Sequence, residues 1–301
     1  MKPTSIIFLL VALIIILTGW LVCRQAENKA EAEGIAIFEQ TLDSDKNSVY
    51  SFQFGKDEVY NKLELIIDKA DVYIYGGYTD PYMELVNFDE GSYTMTTANR
   101  NISVDTSLDL MSVIKFWESG FSFKGFRNYF RAGTDETVIS KRVNVYLPTD
   151  GDLNVINIKL DSGSVTVANL DTSVDLTLTL GSGNAVLTSV ATKSHLKCDI
   201  KTGGLYLSDV SADTLTSTIS EGDVTAENFN FKNINIVGTT TNVYIKAVQS
   251  TAFYDLYLSA RRGNVKIDGE DKGVQYNMDS SNTGDSTVLI TVASGNIIME
   301  Q

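Results

Sequence analysis

The chain has 301 residues, of which 43% are hydrophobic and 21% charged, with a formal charge of -14 and a pI near 4.5. Acidity of this degree excludes a phosphate backbone as a natural partner and disfavours lying flat on anionic lipid. Only 3 prolines stand against 22 glycines, and Thr, Ser, Val and Asn are abundant, a mix that favours strands joined by tight turns over helices. Cys23 and Cys198 are the only cysteines. Cys23 lies at the edge of a hydrophobic run, so no bridge between them is expected and the compartment is not read from them.

The first predicted element spans 6–22, IIFLLVALIIILTGWLV, without a charge. With its flanks it makes roughly 30 Å of helix, the thickness of a hydrocarbon core. It is read as an uncleaved transmembrane anchor over 1–23. A cleaved signal peptide wants small residues before the cut, which Trp20 to Cys23 do not supply. A lipid on Cys23 wants a small residue where Val22 stands. Orientation is weakly encoded, because Lys2 on one side faces Arg24 and Lys29, diluted by Glu27, Glu31 and Glu33, on the other. Residues 24–58 are read as linker and lead-in, and 59–301 as one β-domain.

Within that domain LIIDKADVYIYGG (65–77) opens an alternating pattern that returns at RVNVYLP (142–148). Between them an insertion, placed at about 100–138, holds KFWESGFSFKGFRNYFR (115–131). Phe116, Trp117, Phe121, Phe123, Phe126, Arg127, Tyr129, Phe130 and Arg131 form its basic, aromatic patch. They are the candidate contacts to a partner or membrane. The patch is read as a cover for the β-stack, a docking site for protein or glycan, or a membrane-surface element.

The strongest signal follows. LDSGSVTVANL (160–170), LGSGNAVLTSV (180–190), IKTGGLYLSDV (200–210) and ISEGDVTAENF (219–229) align without gaps. Gly163, Gly183, Gly203 and Gly222 recur at intervals of 20, 20 and 19 residues, the mark of a stacked fold. Looser copies lie at 240–248, 258–269 and 292–300. Apolar residues alternate on both sides of each glycine, as Ile156-Ile158-Leu160 and Val165-Val167, so each unit is strand, glycine corner, strand. Stacking would bury these columns as ladders, broken by Ser217 in Leu215-Ser217-Ile219. The predicted fold is all-β, a β-solenoid of about 20-residue Gly-cornered repeats, with one N-terminal transmembrane helix.

These segments, from LELIIDKADVYIYG through VNVYLPTDGDLNVINIKLDSGSVTVANL to the glycine-centred repeats, resemble the bacterial putative-adhesin domain family. The resemblance covers roughly 60–301. It implies a place outside the cytoplasmic membrane and a binding or scaffold role, and brings no catalytic residues to carry over.

Candidate chemistry is sparse. Cys198 sits inside an inward triplet and is read as a small buried hydrophobe. His195, the single histidine, precedes inward Leu196 and is expected outside; one histidine excludes a multi-His metal site. Outward positions beside the first strand's columns carry no carboxylate ladder of the kind a polysaccharide lyase or hydrolase needs. Acidic corners at Asp150-Gly151-Asp152 and Asp268 to Asp271 are read as solvated turns rather than calcium sites. The sequence thus points to a non-catalytic, single-pass, membrane-anchored envelope protein without cofactor or metal, its β-domain extracytoplasmic. The domain would serve adhesion, binding or assembly, with an unidentified protein or glycan partner and self-association through open solenoid ends. The alternatives are a carbohydrate-active β-helix enzyme and a regulatory domain acting on a membrane partner.

Overall fold

The computed structural model describes residues 39–42, 47–53, 60–88, 92–98, 100–106, 140–148, 153–171, 174–247, 253–280 and 286–301. The predicted anchor, the patch from Phe116 to Arg131 and the acidic corner at Asp150 lie outside them. Among the described residues no helix is long and apolar enough to cross a membrane.

The described chain is all-β. In order it forms β1 (Glu39–Leu42), β2 (Ser48–Gln53), β3 (Lys62–Lys69), β4 (Asp71–Tyr75), β5 (Tyr82–Val86), β6 (Thr94–Ala98), β7 (Asn101–Asp105) and β8 (Arg142–Tyr146). The repeats supply β9 (Val155–Ser162), β10 (Val165–Asp171), β11 (Asp175–Ser182), β12 (Ala185–Ala191), β13 (His195–Thr202), β14 (Leu205–Glu227) and β15 (Asn230–Lys246). The chain then adds β16 (Asp255–Ala260), β17 (Val265–Ile267), β18 (Glu270–Gly273), β19 (Gln275–Met278), β20 (Thr287–Ser294) and β21 (Ile297–Glu300).

Strands preceding the corner stack in parallel into a first wall: β7, β3, β9, β11, β13, the second part of β14, the first part of β15, β20 and β16. Strands following it form a second wall from β8 through β4, β10, β12, β14 and β15 to β21 and β17. The registers join the predicted columns residue to residue: Ile158, Leu178, Cys198, Ser217, Ile236, Ile290 and Leu258 make one of them. All are buried. Alternation places every second side chain in one shared core, so a wrong register would expose whole columns.

The corner glycines hold φ of 132° at Gly163, 137° at Gly183 and Gly203, and 141° at Gly222. A Cβ on Gly183 would lie 1.7 Å from the Gly163 carbonyl oxygen, and one on Gly203 1.9 Å from that of Gly183. Backbone passes over backbone here, so glycine is required by contact as well as by φ. One coil departs from the pattern: Thr241 takes the position of Gly222 and turns inward, and its hydroxyl donates to the Ile219 carbonyl at 3.2 Å. Gly238 stands in the column where Leu160, Leu180 and Ile200 stand, because a Cβ there would meet the Thr241 Cβ at 2.6 Å.

Each coil turns again at a second place. Asn169, Ser189, Asp209 and Asn228 adopt φ of 54°, 54°, 57° and 50°. This left-handed step shifts the inward phase, so that Leu170, Val190, Val210 and Phe229 point to the core after Val167, Leu187, Leu207 and Ala226. The coil therefore has a short third side, which the reading of each unit as two strands lacked.

Both ends are threaded out of sequence order. The β7–β8 coil stacks outside β3–β4, although it follows them in the chain. At the other end β20–β21 lies between β15 and β16–β17. Antiparallel strands flank the stack: β6 beside β7, β5 and then β2 and β1 beside β8, β19 beside β16, and β18 beside β17. The lead-in thus contributes two strands, and residues 101–105, assigned to the insertion, form a strand of the outermost coil. The β17–β18 hairpin turns on Asp268-Gly269, both at positive φ, the chemistry a two-residue turn demands.

Candidate functional site

The alternation that sends Val72, Ile74, Met83, Leu85, Val143 and Val145 into the core sends Tyr73, Tyr75, Tyr82, Glu84, Asn144 and Tyr146 to the outer face of the second wall. Register then assembles them. Tyr82 stands opposite Tyr146 and Tyr146 beside Tyr75, while Glu84 stands opposite Asn144 and Asn144 beside Tyr73. The Tyr82 and Tyr146 rings stack at 4.2 Å, and Tyr146 and Tyr75 at 5.6 Å. Tyr73 lies nearly coplanar in direction with Tyr75, 8° apart at 6.3 Å. Tyr78, from the turn after β4, sets its edge on Tyr146 at 4.8 Å and keeps 40% of its surface exposed. Cross-strand aromatic pairs stabilise a sheet by roughly 0.2–1 kcal/mol each, so the cluster also ties the antiparallel β5 to the parallel stack.

Burial pushes the Tyr146 phenol well above its ordinary range, helped by the Glu84 carboxylate. The same causes raise Tyr82, and burial with the neighbouring Tyr73 raises Tyr75. These phenols keep their protons, and the hydroxyls of Tyr82 and Tyr146 bond each other. Asn144 Nδ2 donates to Glu84 Oε2 at 3.1 Å, which fixes the amide and leaves the other carboxylate oxygen to accept. Along the outer column, Tyr73 is followed by Thr166, Val186 and Tyr206. Tyr206 is 41% exposed and lies three strand spacings away, roughly 14 Å. The arrangement is a strip with aromatic rings at intervals and a carboxylate, Glu84, among them. It can hold a hydroxyl-rich chain; it has no nucleophile with a base.

The residues singled out from sequence fall as follows. Gly163, Gly183, Gly203 and Gly222 form the stacked corner, backbone against backbone. Beside them runs a polar ladder that the sequence reading missed. The Ser164 N–H donates to Asp71 Oδ1 at 2.9 Å, Gly204 N–H to Asn184 Oδ1 at 2.8 Å, and Asn296 N–H to Asn242 Oδ1 at 3.0 Å. It is structural, since each oxygen caps the next coil. Cys198 is fully buried, and burial drives its thiol pKa up, which leaves it unreactive. His195 points outward. Ser194 Oγ lies 2.6 Å and Asp175 Oδ1 3.8 Å from its Nδ1. A relay needs the serine and the carboxylate on different ring nitrogens, so these three do not make one. Asp271 accepts from the Gly273 N–H and from Asn264 Nδ2, and Asp268 from the Gln301 N–H. Those acids cap turns. Ser217 Oγ is buried without a hydrogen-bond partner. The tyrosines stand on strands that follow the corner or flank the stack, outside the columns that precede the glycines. The alternation DVYIY already placed Tyr73 and Tyr75 outside.

Comparison with known proteins bears on the fold. The model of the Toastrack DUF4097 family matches residues 60–300. No curated protein matches the sequence. Among solved structures, a putative adhesin from Bacteroides fragilis NCTC 9343 is 10% identical, with 84% of this chain and 97% of that one covered, at a TM-score of 0.43. One from Parabacteroides merdae ATCC 43184 is 16% identical, with 87% and 98% covered, at 0.41. A putative cell adhesion protein from Clostridium sporogenes ATCC 15579 is 12% identical, with 85% and 100% covered, at 0.38.

Proposed function

We propose that this chain, which belongs to the Toastrack DUF4097 family, is a non-catalytic envelope protein that binds a glycan on the tyrosine-lined outer face of its second wall. Residues 6–22 would anchor it in the cell membrane, with the β-domain on the extracytoplasmic side. The observation that carries the reading is the row of Tyr82, Tyr146 and Tyr75, in register across three strands, with Tyr73, Asn144 and Glu84 in the row beside it. Tyrosine joins a flat apolar body to a polar edge at small entropic cost, which suits it to binding surfaces. A neutral glycan also avoids the repulsion that a chain carrying -14, with Glu84 at the strip, would offer an acidic one.

The test is binding of the full chain in detergent to a panel of neutral and acidic glycans. Tyr78→Ala combined with Tyr206→Ala should weaken binding at least tenfold while the thermal melt stays in place. Glycan binding that is absent, or indifferent to the double substitution in a folded protein, would sink the proposal. Protease accessibility in intact cells tests the side of the membrane.

A further inference from the structure

The first wall divides in two. Residues 62–68, 155–161, 175–181 and 195–201 interleave their apolar columns with charge, including the ion pairs Lys62–Glu64 and Lys197–Asp199, each at 2.9 Å. Residues 214–220, 233–239 and 287–293 contain no charged side chain. The neutral field continues over 256–260 and β19, with Asp255 and Arg261 at its corners. In its middle stand Leu289 opposite Tyr257, with Val237 one pair along the neighbouring strand. Their exposures are 42%, 39% and 47%. Threonines, asparagines and Ser259 surround them.

We propose that this half-wall packs face to face on the same half-wall of a second copy of the chain, forming a two-fold dimer. The composition is close to that of an interface, with an apolar centre and a polar rim whose charges, Asp255, Arg261 and the Asp279 that accepts from the Tyr257 hydroxyl at 3.1 Å, stand at its margin. Two chains of this net charge approach most easily through the face that carries least. Three strands of seven residues, one of five and one of four, at about 4.8 Å spacing and about 3.3 Å per residue, outline roughly 480 Å². Side-chain relief raises that toward the roughly 800 Å² per partner of a stable interface. A two-fold axis near Leu289 makes the surface self-complementary, and aligned packing of two flat sheets is an ordinary geometry. Isolated aliphatic side chains at the centre favour a protein face over a sugar. The inference stands apart from the glycan reading, but the two are compatible: the tyrosine strip lies on the opposite wall, so the dimer would present two strips facing away from each other.

The experiment uses the full chain in detergent with Cys23→Ser, which leaves buried Cys198 as the only native thiol. Leu289→Cys should yield a dimer with a short bismaleimide, and Lys159→Cys, exposed on the charged half of the same wall, should not. Sedimentation of the uncrosslinked chain should give twice the chain mass. Val237→Lys should cut the Leu289→Cys crosslink at least tenfold with an unchanged melting temperature. Equal crosslinking at both positions, or a crosslink that persists in folded Val237→Lys, overturns the proposal. So does a monomer at micromolar concentration whose Leu289→Cys thiol is shielded by a soluble neutral glucan, a result that would give the wall to a sugar. An unsubstituted chain that sediments as a monomer and still binds glycan overturns this inference alone.

Discussion

At the first turn of a coil, Gly183 holds φ 137° with its Cα pressed on the Gly163 carbonyl; at the second, Ser189 holds φ 54° with its side chain in solvent. The first position has two constraints, an angle that L-residues avoid and a neighbour that leaves no room for a Cβ. The second has only the angle, in a region that Asn and Asp tolerate. Hence one column reads Gly, Gly, Gly, Gly and the other Asn, Ser, Asp, Asn. The comparison teaches that invariance along a stack reports backbone contact between coils, and that a change of coil direction by itself tolerates variety.

Four substitutions probe this difference. Gly183→Ala should cost about 4 kcal/mol, from the forbidden angle together with displaced backbone, read as a lowered denaturation midpoint. A loss under about 1 kcal/mol would show that the coils can part to admit a methyl group. Asn169→Ala should cost about 1.5 kcal/mol through the angle alone. If it matched Gly183→Ala, the two turns would not differ in kind. Ser217→Ala calibrates a side-chain fault against these backbone ones. Removing a buried hydroxyl that has no partner should stabilise the domain by about 1 kcal/mol, and a loss of that size would reveal a hidden bond. Ser189→Asn should gain about 0.5 kcal/mol by placing a left-handed former where its neighbours Asn169 and Asp209 already stand. A melting temperature unchanged or lowered would mean the bend is set by its surroundings rather than by its residue.

Much of the fold was legible in the sequence, for a physical reason. Inward columns and corner glycines are set by local alternation and backbone contact, so Ile158, Leu178, Cys198 and even the break at Ser217 were read in register. The left-handed bend left a signal that passed unread: the inward series runs Val165, Val167, Leu170, a change of parity repeated in Leu205, Leu207, Val210. The order of the outermost coils was not legible. The Val265-Ile267 and Ile297-Met299 pairs carry the same pattern, so either could have docked on Val243-Ile245, and nothing local separates the two. The tyrosine strip was half visible. Tyr73 and Tyr75 alternate with core residues, whereas Tyr146 joins them through parallel pairing of β8 with β4 and Tyr82 through antiparallel pairing of β5 with β8, both long-range events.

The place of β20–β21 bears on how the chain matures. Residues 255–267 leave the ribosome before 287–300, yet the later segment sits inside the earlier one, against β15. During synthesis β15 therefore presents either an unpaired edge or a provisional partner that must later be dislodged. Uncovered strand edges invite association with other chains, and pairings between distant segments form slowly. This domain should accordingly depend on protection during initial folding, until the segment from 287 onward is threaded into its slot.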